Sequence, residues 1–505
     1  MKYLIGIDLG TSGTKTVLFD ENGNVIASKT AEYPMYQPQN GWAEQKAGDW
    51  YSAAIETLKS VVSAVNPEDI AGIGISGQMH GLVMLDENGD VLRPSIIWCD
   101  QRTAEECVEI EKLVGRERLI EITANPAMTG FTAAKIMWVK KHEPQLYEKC
   151  RHILLPKDYV RYKLTGKFAT DVSDASGMQL LDVKNRCWSD EVLEKLGIDK
   201  SLLAKVYESP EVTGYITDEA AKLTGLNIGT IVVGGAGDNA AAAVGVGVVR
   251  DKTAFTTIGT SGVVFAHTSE MIVDPKGRVH TFCCAVPDAW HVMGVTQAAG
   301  LSLKWFCDNF CGEDKLEAKK LGVDAYYLTD KKAIQSPIGC NRLIYLPYLM
   351  GERTPYLDPD CRGMFFGLSA MHTKADMIRA VMEGVTYSLR DCIEVLREIG
   401  IDIFDMAVCG GGGTSKLWRS MIADSYGCRV KTCTSKEGPA LGAAILAGVG
   451  AGIYKTVEEA CDKMIKFNAS EQPNIGNSEK YNKVYDIYKK LYHNVKEIYK
   501  DLKEI

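Results

Sequence analysis

The stretch GGAGDN, Gly234-Gly235-Ala236-Gly237-Asp238-Asn239, decides how this chain is interpreted. The β-branched run 230–233 before it predicts a buried strand, and the alanine-rich run 240–244 after it favours a helix. Asp238 therefore stands between the carboxyl end of a strand and the start of a helix, where an open α/β sheet forms its ligand crevice. The alternative is a plain helix cap after a glycine turn. Three further turns rich in Gly, Thr and Ser decide between these two interpretations.

Length, charge and cysteine content limit the classes of protein to which the chain can belong. Its 505 residues are too many for one hydrophobic core, so at least two domains are expected. A formal net charge of −8 argues against nucleic acid or an anionic membrane as the main partner. No apolar run reaches transmembrane length, and a strand is predicted from residue 3 without a preceding signal peptide. The 15 cysteines never form a CxxC pair, which predicts reduced thiols in a cytoplasmic protein and disfavours a zinc site.

The N-terminal residues predict a meander of three strands. Residues 3–8 and 16–19 are apolar runs, the Asn-Gly pair at 22–23 signals a hairpin turn, and a third strand begins at Val25. The turn DLGTSGTK, from Asp8 to Lys15, is dense in amide and hydroxyl donors and ends in a cation. Such a loop can cradle phosphate, and Asp8 can hold a magnesium ion directly or through water. It lacks the Walker A pattern, and a plain hairpin is the alternative.

A dinucleotide motif is rejected in favour of a substrate site at residues 72–81. Gly72, Gly74 and Gly77 match GxGxxG, but the next predicted element, at 82–85, is a strand where the dinucleotide fold requires a helix. His80 follows the end of a predicted strand, which makes it a candidate substrate contact. A purely structural histidine is the alternative at this position.

The second half of the chain repeats the opening pattern of the first. GTSG occurs at 10–13 and again at 259–262, each time between two β runs, which predicts two related domains at 1–248 and 249–505. A further strand is predicted at 404–409. It ends in four glycines, 410–413, which allow a flat group such as adenosine to lie against bare backbone.

The remaining segments are predicted from periodicity and composition. Apolar spacing predicts helices at 47–65, 103–114, 132–141 and 377–399. The polar stretch 171–182 is interpreted as a loop. The charged tail 478–505 is interpreted as a solvated surface helix.

Together these features are similar to the FGGY family of carbohydrate kinases over essentially the whole chain. The motifs that carry the resemblance are 8–15, 131–138 (FTAAKIMW), 237–239, 259–262, 351–355 (GERTP) and 410–413. The resemblance implies an α/β fold of two ribonuclease-H-like domains, as in actin and hexokinase, with an interdomain cleft. It also implies that MgATP lies mainly on the second domain and the sugar mainly on the first.

Site residues follow from the resemblance by position. Asp238 is the implied general base, Met79, His80 and Asn239 bind the sugar with it, and Asp8 is the implied magnesium residue. The residues implied to contact ATP are Thr11, Ser12, Lys15, Gly259, Thr260, Gly300, Lys304, Gly411, Gly412 and Ser415. Lys304 and Ser415 replace amides found in glycerol kinases, so their roles depart from the pattern of those enzymes.

Within the family, the resemblance implies D-xylulose as the substrate. The motifs that point to it are 42–45 (WAEQ), 77–81 (GQMHG), 155–159 (LPKDY) and 171–177 (DVSDASG). Glycerol kinases carry an Arg-Glu pair in place of Met79-His80, which argues against glycerol. Ribulose, gluconate and other polyols are alternatives, and an actin-like ATPase is the alternative from a different class. A sugar and ATP are the expected partners, neither nucleic acid nor a membrane is expected, and a homodimer is left open.

Overall fold

The two GTSG turns lie at equivalent places in two mixed β-sheets. A computed structural model describes residues 1–504, and each half of the chain is built on a sheet of seven strands. In the described residues, no helix is both long and apolar enough to cross a membrane.

The first half contains fifteen strands and ten α-helices. The strands are β1 (Tyr3–Leu9), β2 (Gly13–Asp20), β3 (Val25–Glu32), β4 (Glu44–Gln45), β5 (Ile70–Gly77), β6 (Val83–Leu85), β7 (Ser95–Ile96), β8 (His152–Leu154), β9 (Ala169–Asp171), β10 (Leu181–Asp182), β11 (Cys187–Trp188), β12 (Lys205–Tyr207), β13 (Val212–Tyr215), β14 (Ile231–Val233) and β15 (Ala236–Gly237). The helices are α1 (Ala47–Val62), α2 (Ala104–Val114), α3 (Arg116–Thr123), α4 (Thr132–His142), α5 (Pro144–Tyr147), α6 (Pro156–Thr165), α7 (Val172–Ala175), α8 (Asp190–Leu196), α9 (Asp218–Thr224) and α10 (Asp238–Gly245).

The second half contains nine strands and eight α-helices among the described residues. The strands are β16 (Thr253–Ile258), β17 (Gly262–Thr268), β18 (His280–Cys283), β19 (Trp290–Thr296), β20 (Ile344–Leu346), β21 (Met364–Phe366), β22 (Asp405–Cys409), β23 (Arg429–Cys433) and β24 (Phe467–Glu471). The helices are α11 (Gly300–Phe310), α12 (Gly312–Leu321), α13 (Ala325–Ala333), α14 (Lys374–Glu398), α15 (Lys416–Tyr426), α16 (Gly438–Gly450), α17 (Val457–Met464) and α18 (Ile475–Lys503).

The two sheets share a core of five strands with the same topology, β14-β5-β1-β2-β3 and β23-β22-β16-β17-β19, which confirms the internal repeat. In the first, the order is β13-β14-β5-β1-β2-β3, with β15 also pairing with β5. In the second, the order is β18-β19-β17-β16-β22-β23-β24. Each sheet has an antiparallel meander that begins at its first strand, β1 or β16, and that strand pairs in parallel with a later one, β5 or β22. This arrangement is the predicted ribonuclease-H-like fold, present twice.

Helix α16 belongs to the second half by sequence but packs on the first sheet. A Cβ on Gly6 would lie 1.8 Å from the carbonyl oxygen of Ala440, and one on Gly74 would lie 2.0 Å from that of Ala443. The backbones therefore touch directly, which only glycine permits. The division at residue 248 stays a prediction, because this helix lies after it and still completes the first core.

The segment 171–182 differs from the predicted polar loop. Residues 172–178 form α7 and a 3₁₀ turn, Ser176–Met178, and all of them are buried. Polar residues normally indicate exposure, but these form hydrogen bonds with partners distant in sequence, which makes their burial tolerable.

The C-terminal tail is the predicted helix but not a fully solvated one. Along α18, one face is buried: Tyr481, Tyr485, Tyr488, Leu491, Tyr492 and Tyr499. The hydroxyl of Tyr485 donates to Asp391 Oδ1 at 2.6 Å, and those of Tyr488 and Tyr348 lie 3.0 Å apart. The helical spacing of these tyrosines was present in the sequence, but the charged residues between them favoured the solvated interpretation.

Candidate active site

The ends of three neighbouring strands bring the predicted base and magnesium residue together. In the parallel register of β1 and β5, Asp8 lies opposite Ser76, and β15 places Ala236 opposite the same serine. Asp238 follows β15 immediately and begins α10. Because the carboxyl ends of these parallel strands share one sheet edge, the two carboxylates face the same crevice.

Burial raises the pKa of both carboxylates, and repulsion from Asp238 adds to the shift at Asp8. Burial raises the pKa of Asp238 to about 6, while the backbone and side-chain amides of Asn239 donate to its Oδ1 at 2.7 and 3.1 Å and oppose the rise. Burial, and then the charge of Asp238, raise the pKa of Asp8 to about 7. A hydrogen bond of 3.4 Å from Ser76 and the charge of Lys15 oppose that shift. Such a pair favours an adjacent cation.

Met79 packs against the turn that carries Asp238, and His80 packs against Gly177. A Cβ on Gly237 would lie 2.8 Å from Met79 Sδ, and one on Gly177 would lie 2.4 Å from His80 Nδ1, so the two glycines let these side chains approach the backbone closely. His80 Nδ1 lies 2.8 Å from the carbonyl oxygen of Gly177. A carbonyl only accepts, so Nδ1 carries the hydrogen and Nε2 is left as an acceptor for a hydroxyl.

A buried lysine fixes the backbone of His80. Lys135 Nζ donates to the carbonyl oxygens of His80 and Gly130, each at 2.7 Å, and Thr132 Oγ1 donates to the former at 3.1 Å. Burial, followed by the charge of Lys135, lowers the pKa of His80 to about 3, so this ring is neutral near pH 7. The positive φ of His80, 68°, is held by these contacts. The motif at 131–138 contains Lys135, but the sequence alone gave no contact for it.

The second half contributes a cavity of 590 Å³. Seven of the ten predicted ATP residues line it: Gly259, Thr260, Gly300, Lys304, Gly411, Gly412 and Ser415. Sequence analysis missed the other polar and aromatic side chains of the wall: Asp324, Tyr326, Tyr327, Asp330, Thr414 and Trp418. Most of these belong to or adjoin α13, whose place over the cavity is a long-range feature that no local motif indicated.

Glycine shapes this cavity through close backbone contacts. A Cβ on Gly300 would lie 2.5 Å from the carbonyl oxygen of Gly259, and one on Gly412 would lie 2.6 Å from an Ile258 carbon. At Gly411, by contrast, a Cβ would meet nothing within 4 Å, so this residue borders open space. Ser415 Oγ accepts from the backbone N–H of Trp418 at 3.0 Å and so caps α15.

The predicted phosphate residues of the first hairpin do not line the cavity. Thr11 Oγ1 accepts from Trp98 Nε1 at 3.0 Å. The carbonyl oxygen of Ser12 accepts from Tyr33. Lys15 Nζ lies 2.5 Å from Glu437 Oε2, immediately before α16. Contact of these residues with phosphate stays a prediction.

A buried charged cluster under the Asp238 turn was also missed. Lys157 Nζ lies 2.6 Å from Asp158, 2.8 Å from Asp171 and 3.3 Å from Asp174, all in the first half. Arg161 donates to the carbonyl oxygen of Gly234 at 2.6 Å. The motifs LPKDY and DVSDASG supplied these residues, but their mutual contact depends on the fold.

Known proteins with this architecture are sugar kinases. Residues 3–245 match the N-terminal domain, and residues 254–451 the C-terminal domain, of the FGGY family of carbohydrate kinases. A xylulose kinase from Bacillus subtilis is 41% identical over 490 residues, covering 97% of this chain and 96% of its own length. The crystal structure of ligand-bound xylulose kinase from Lactobacillus acidophilus is 27% identical with a TM-score of 0.92, covering 99% of this chain and all of its own. A gluconate kinase from the same organism has the same identity and TM-score, covering 99% of each chain. The chain therefore belongs to the FGGY family of carbohydrate kinases and is an ATP-dependent sugar kinase.

Proposed function

We propose that this kinase transfers the γ-phosphoryl group of ATP to D-xylulose, giving D-xylulose 5-phosphate and ADP. The observation that carries the proposal is the neutral His80 next to Met79, since Met79 packs against the glycine turn that ends in Asp238. The imidazole offers an acceptor to a sugar hydroxyl, and the carboxylate offers a second one at the reacting end. A relative named xylulose kinase, 41% identical over 97% of this chain, supports the same substrate.

Asp238 is proposed as the general base. At pH 7 a carboxyl with a pKa of about 6 is mostly ionised, yet it is a stronger base than an exposed aspartate. It orients the sugar hydroxyl and accepts its proton as the new P–O bond forms, an effect of about 10²–10⁴-fold in other enzymes. Asn239 holds one carboxylate oxygen, which leaves the other for the sugar.

The phosphate groups are proposed to lie between the two GTSG turns. Alignment and charge stabilisation, more than covalent chemistry, determine the rate of phosphoryl transfer. The amides and hydroxyls of 10–13 and 259–262 supply donors from both halves. Gly300 touches Gly259 at the amino end of α11, which directs the positive end of a helix dipole to the same place.

Magnesium is proposed to bind at Asp8. The residues fit such an ion, because Asp8 and Asp238 repel one another at a shared sheet edge and a cation relieves that repulsion. Among residues 1–504, no group of three or more His, Cys, Asp or Glu side chains is placed to hold a metal ion. Magnesium in kinases is usually bound by one or two carboxylates together with phosphate and water. When bound, magnesium supplies charge balance for the phosphate chain.

Other sugars are the main competing proposal. A gluconate kinase of equal structural similarity shows that this fold accommodates a sugar acid in another protein. A change of a few pocket contacts, each worth about 1–3 kcal/mol, would alter the preference.

Location and oligomeric state are separate expectations. All 15 cysteines among the described residues are free thiols, which fits the reducing environment of the cytoplasm. A possible homodimer stays a prediction.

The test is initial-rate ADP release with xylulose, ribulose, gluconate and glycerol. We expect D-xylulose to have the highest kcat/KM, with glycerol far behind, because a pocket built for several hydroxyls leaves polar groups unpaired when they are missing. His80→Ala should weaken the preference for xylulose and leave sugar-independent ATP hydrolysis unchanged. His142→Ala, an exposed histidine, is the matched control. A higher kcat/KM for any other sugar would overturn the proposed substrate.

A further inference from the structure

One short buried segment contacts three separate parts of the molecule. Ser173 Oγ accepts from the backbone N–H of Gly237 at 3.1 Å, and Gly177 O lies 2.8 Å from His80 Nδ1. Ser176 Oγ accepts from the backbone N–H of Cys283, in strand β18 of the second half, at 3.0 Å. The segment 171–178 therefore contacts the turn before the proposed base, the proposed sugar-binding residue His80, and the sheet of the second half.

The turn before Asp238 is held through its backbone: Gly234 and Gly235 donate to the carbonyl oxygens of Glu211 and Ser209, and β15 pairs with β5. Residues 234–237 are three glycines and one alanine, and Gly235 has a φ of +70°. Without side chains to pack, such a turn is fixed by backbone contacts alone. Two of these come from the buried layer beneath it, the bond from Arg161 to Gly234 and the bond from Gly237 to Ser173. The bond between Gly237 and Ser173 fixes the residue immediately before Asp238, the proposed base.

Ser173 is itself held firmly. Its hydroxyl donates to Asp171 Oδ2 at 2.6 Å, and its backbone N–H donates to the same oxygen at 2.9 Å. The other carboxylate oxygen, Oδ1, lies 2.8 Å from Lys157 Nζ. Since these groups are fully buried, each depends on its partner, and the network has little freedom to rearrange.

We propose that Ser173 is a positioning residue for phosphoryl transfer, fixing the Gly237 amide and, through it, the direction of the Asp238 carboxylate. The inference rests on the proposed role of Asp238 as the base. A misplacement of about 1 Å at a reacting group can cost roughly 10²-fold in rate. The hydroxyl of Ser173 thus acts on catalysis without touching the sugar.

The chain contains a matched control for this role. Ser209 is also fully buried, and its hydroxyl donates to the same Asp171 Oδ2 at 2.9 Å but makes no bond to the Asp238 turn. The backbone carbonyl of Ser209 accepts from the Gly235 N–H at 3.0 Å, and an alanine at position 209 keeps that bond. Ser173→Ala and Ser209→Ala each remove one hydroxyl from Asp171. Only the first also removes the acceptor of the Gly237 amide. A purely structural role predicts the same outcome for both variants.

The experiment measures kcat, both KM values and the melting temperature for the two variants. We expect Ser173→Ala to lower kcat by about 10- to 10²-fold, with KM for xylulose and ATP within about threefold of the wild type. Ser209→Ala should keep kcat within about threefold at a similar loss of melting temperature. Equal kcat in the two variants, whether high or low, would overturn the proposal.

A second variant covers the case in which Ser173→Ala does not fold. Ser173→Cys keeps a side chain with one heavy atom beyond Cβ but replaces the hydroxyl with a weak acceptor, so its kcat should also fall, and an unchanged value would overturn the proposal. The variant Asp238→Asn distinguishes failure of the positioning role of Ser173 from failure of the base role of Asp238. If it is inactive while Ser173→Ala turns over normally, only the positioning role fails. If it turns over normally, the base assignment fails as well.

Discussion

The site in the first half and the cavity in the second half are built by opposite means. Around Asp238 the turn is held by buried charges and side-chain hydrogen bonds, as in the pair formed by Arg161 and Gly234. Around Gly411 one side of the cavity is bare glycine backbone, and the exposed Lys304 pairs with its own helix, at Asp308. A proton acceptor must keep one direction, whereas a nucleotide needs space against bare backbone. The difference predicts which substitutions act on rate and which on nucleotide affinity.

Removal of the base should give the largest effect. Asp238→Asn keeps the shape and the contacts of Asn239 but loses the proton acceptor, so kcat should fall by at least about 10²-fold with little change in sugar KM. Steady-state kinetics with xylulose as the varied substrate measure both constants. A folded variant with near-normal turnover would remove Asp238 from this role.

The second-largest effect is expected from a side chain added in the cavity proposed to hold the nucleotide. Gly411→Val projects into open space, so the protein should fold normally while KM for ATP rises by about tenfold or more and KM for sugar stays constant. Gly412→Val is the contrasting variant, because its Cβ would meet Ile258 and lower the melting temperature instead. Equal changes in both KM values for Gly411→Val would contradict the nucleotide assignment.

The pH dependence of kcat/KM for the sugar should follow the protonation of Asp238 in the first half. Nucleotide binding in the cavity of the second half should not show the same dependence. The base acts when deprotonated and has a pKa of about 6, so kcat/KM for the sugar should fall as the pH falls through that value, by about tenfold per pH unit below it. Binding of a fluorescent ATP analogue over the same pH range serves as the reference. A rate that is flat from pH 7 to 5 would contradict the raised pKa.

The smallest effect is expected from substitutions in the ion pair between Lys15 in the first half and Glu437 in the second. Lys15→Gln breaks a partly exposed ion pair, which should cost about 0–1 kcal/mol in the free energy of unfolding. It should also raise KM for ATP by roughly threefold, since a phosphate donor is lost. Glu437→Gln breaks the same pair but keeps the cation. Equal ATP KM values in the two variants would mean that Lys15 serves the ion pair alone.

Several features of the fold were predictable because their causes are local. The three-strand meander at the N-terminus follows from β-branched runs and an Asn-Gly turn, and its repeat at 253–266 follows from the same pattern. The position of Asp238 between a strand and a helix was predictable from its neighbours. The glycines before it allow a tight turn, and the alanines after Asn239 favour a helix.

Other features required the tertiary structure, because their causes lie far apart in the sequence. The placement of α16 on the first sheet depends on glycines more than 350 residues away, and neither segment alone reveals the contact. The polar segment 171–178 is buried because Lys157, Ser209 and the Gly237 amide meet it in space. A polar residue is stable inside only when its partners are present, and the sequence does not show which distant residues those partners are.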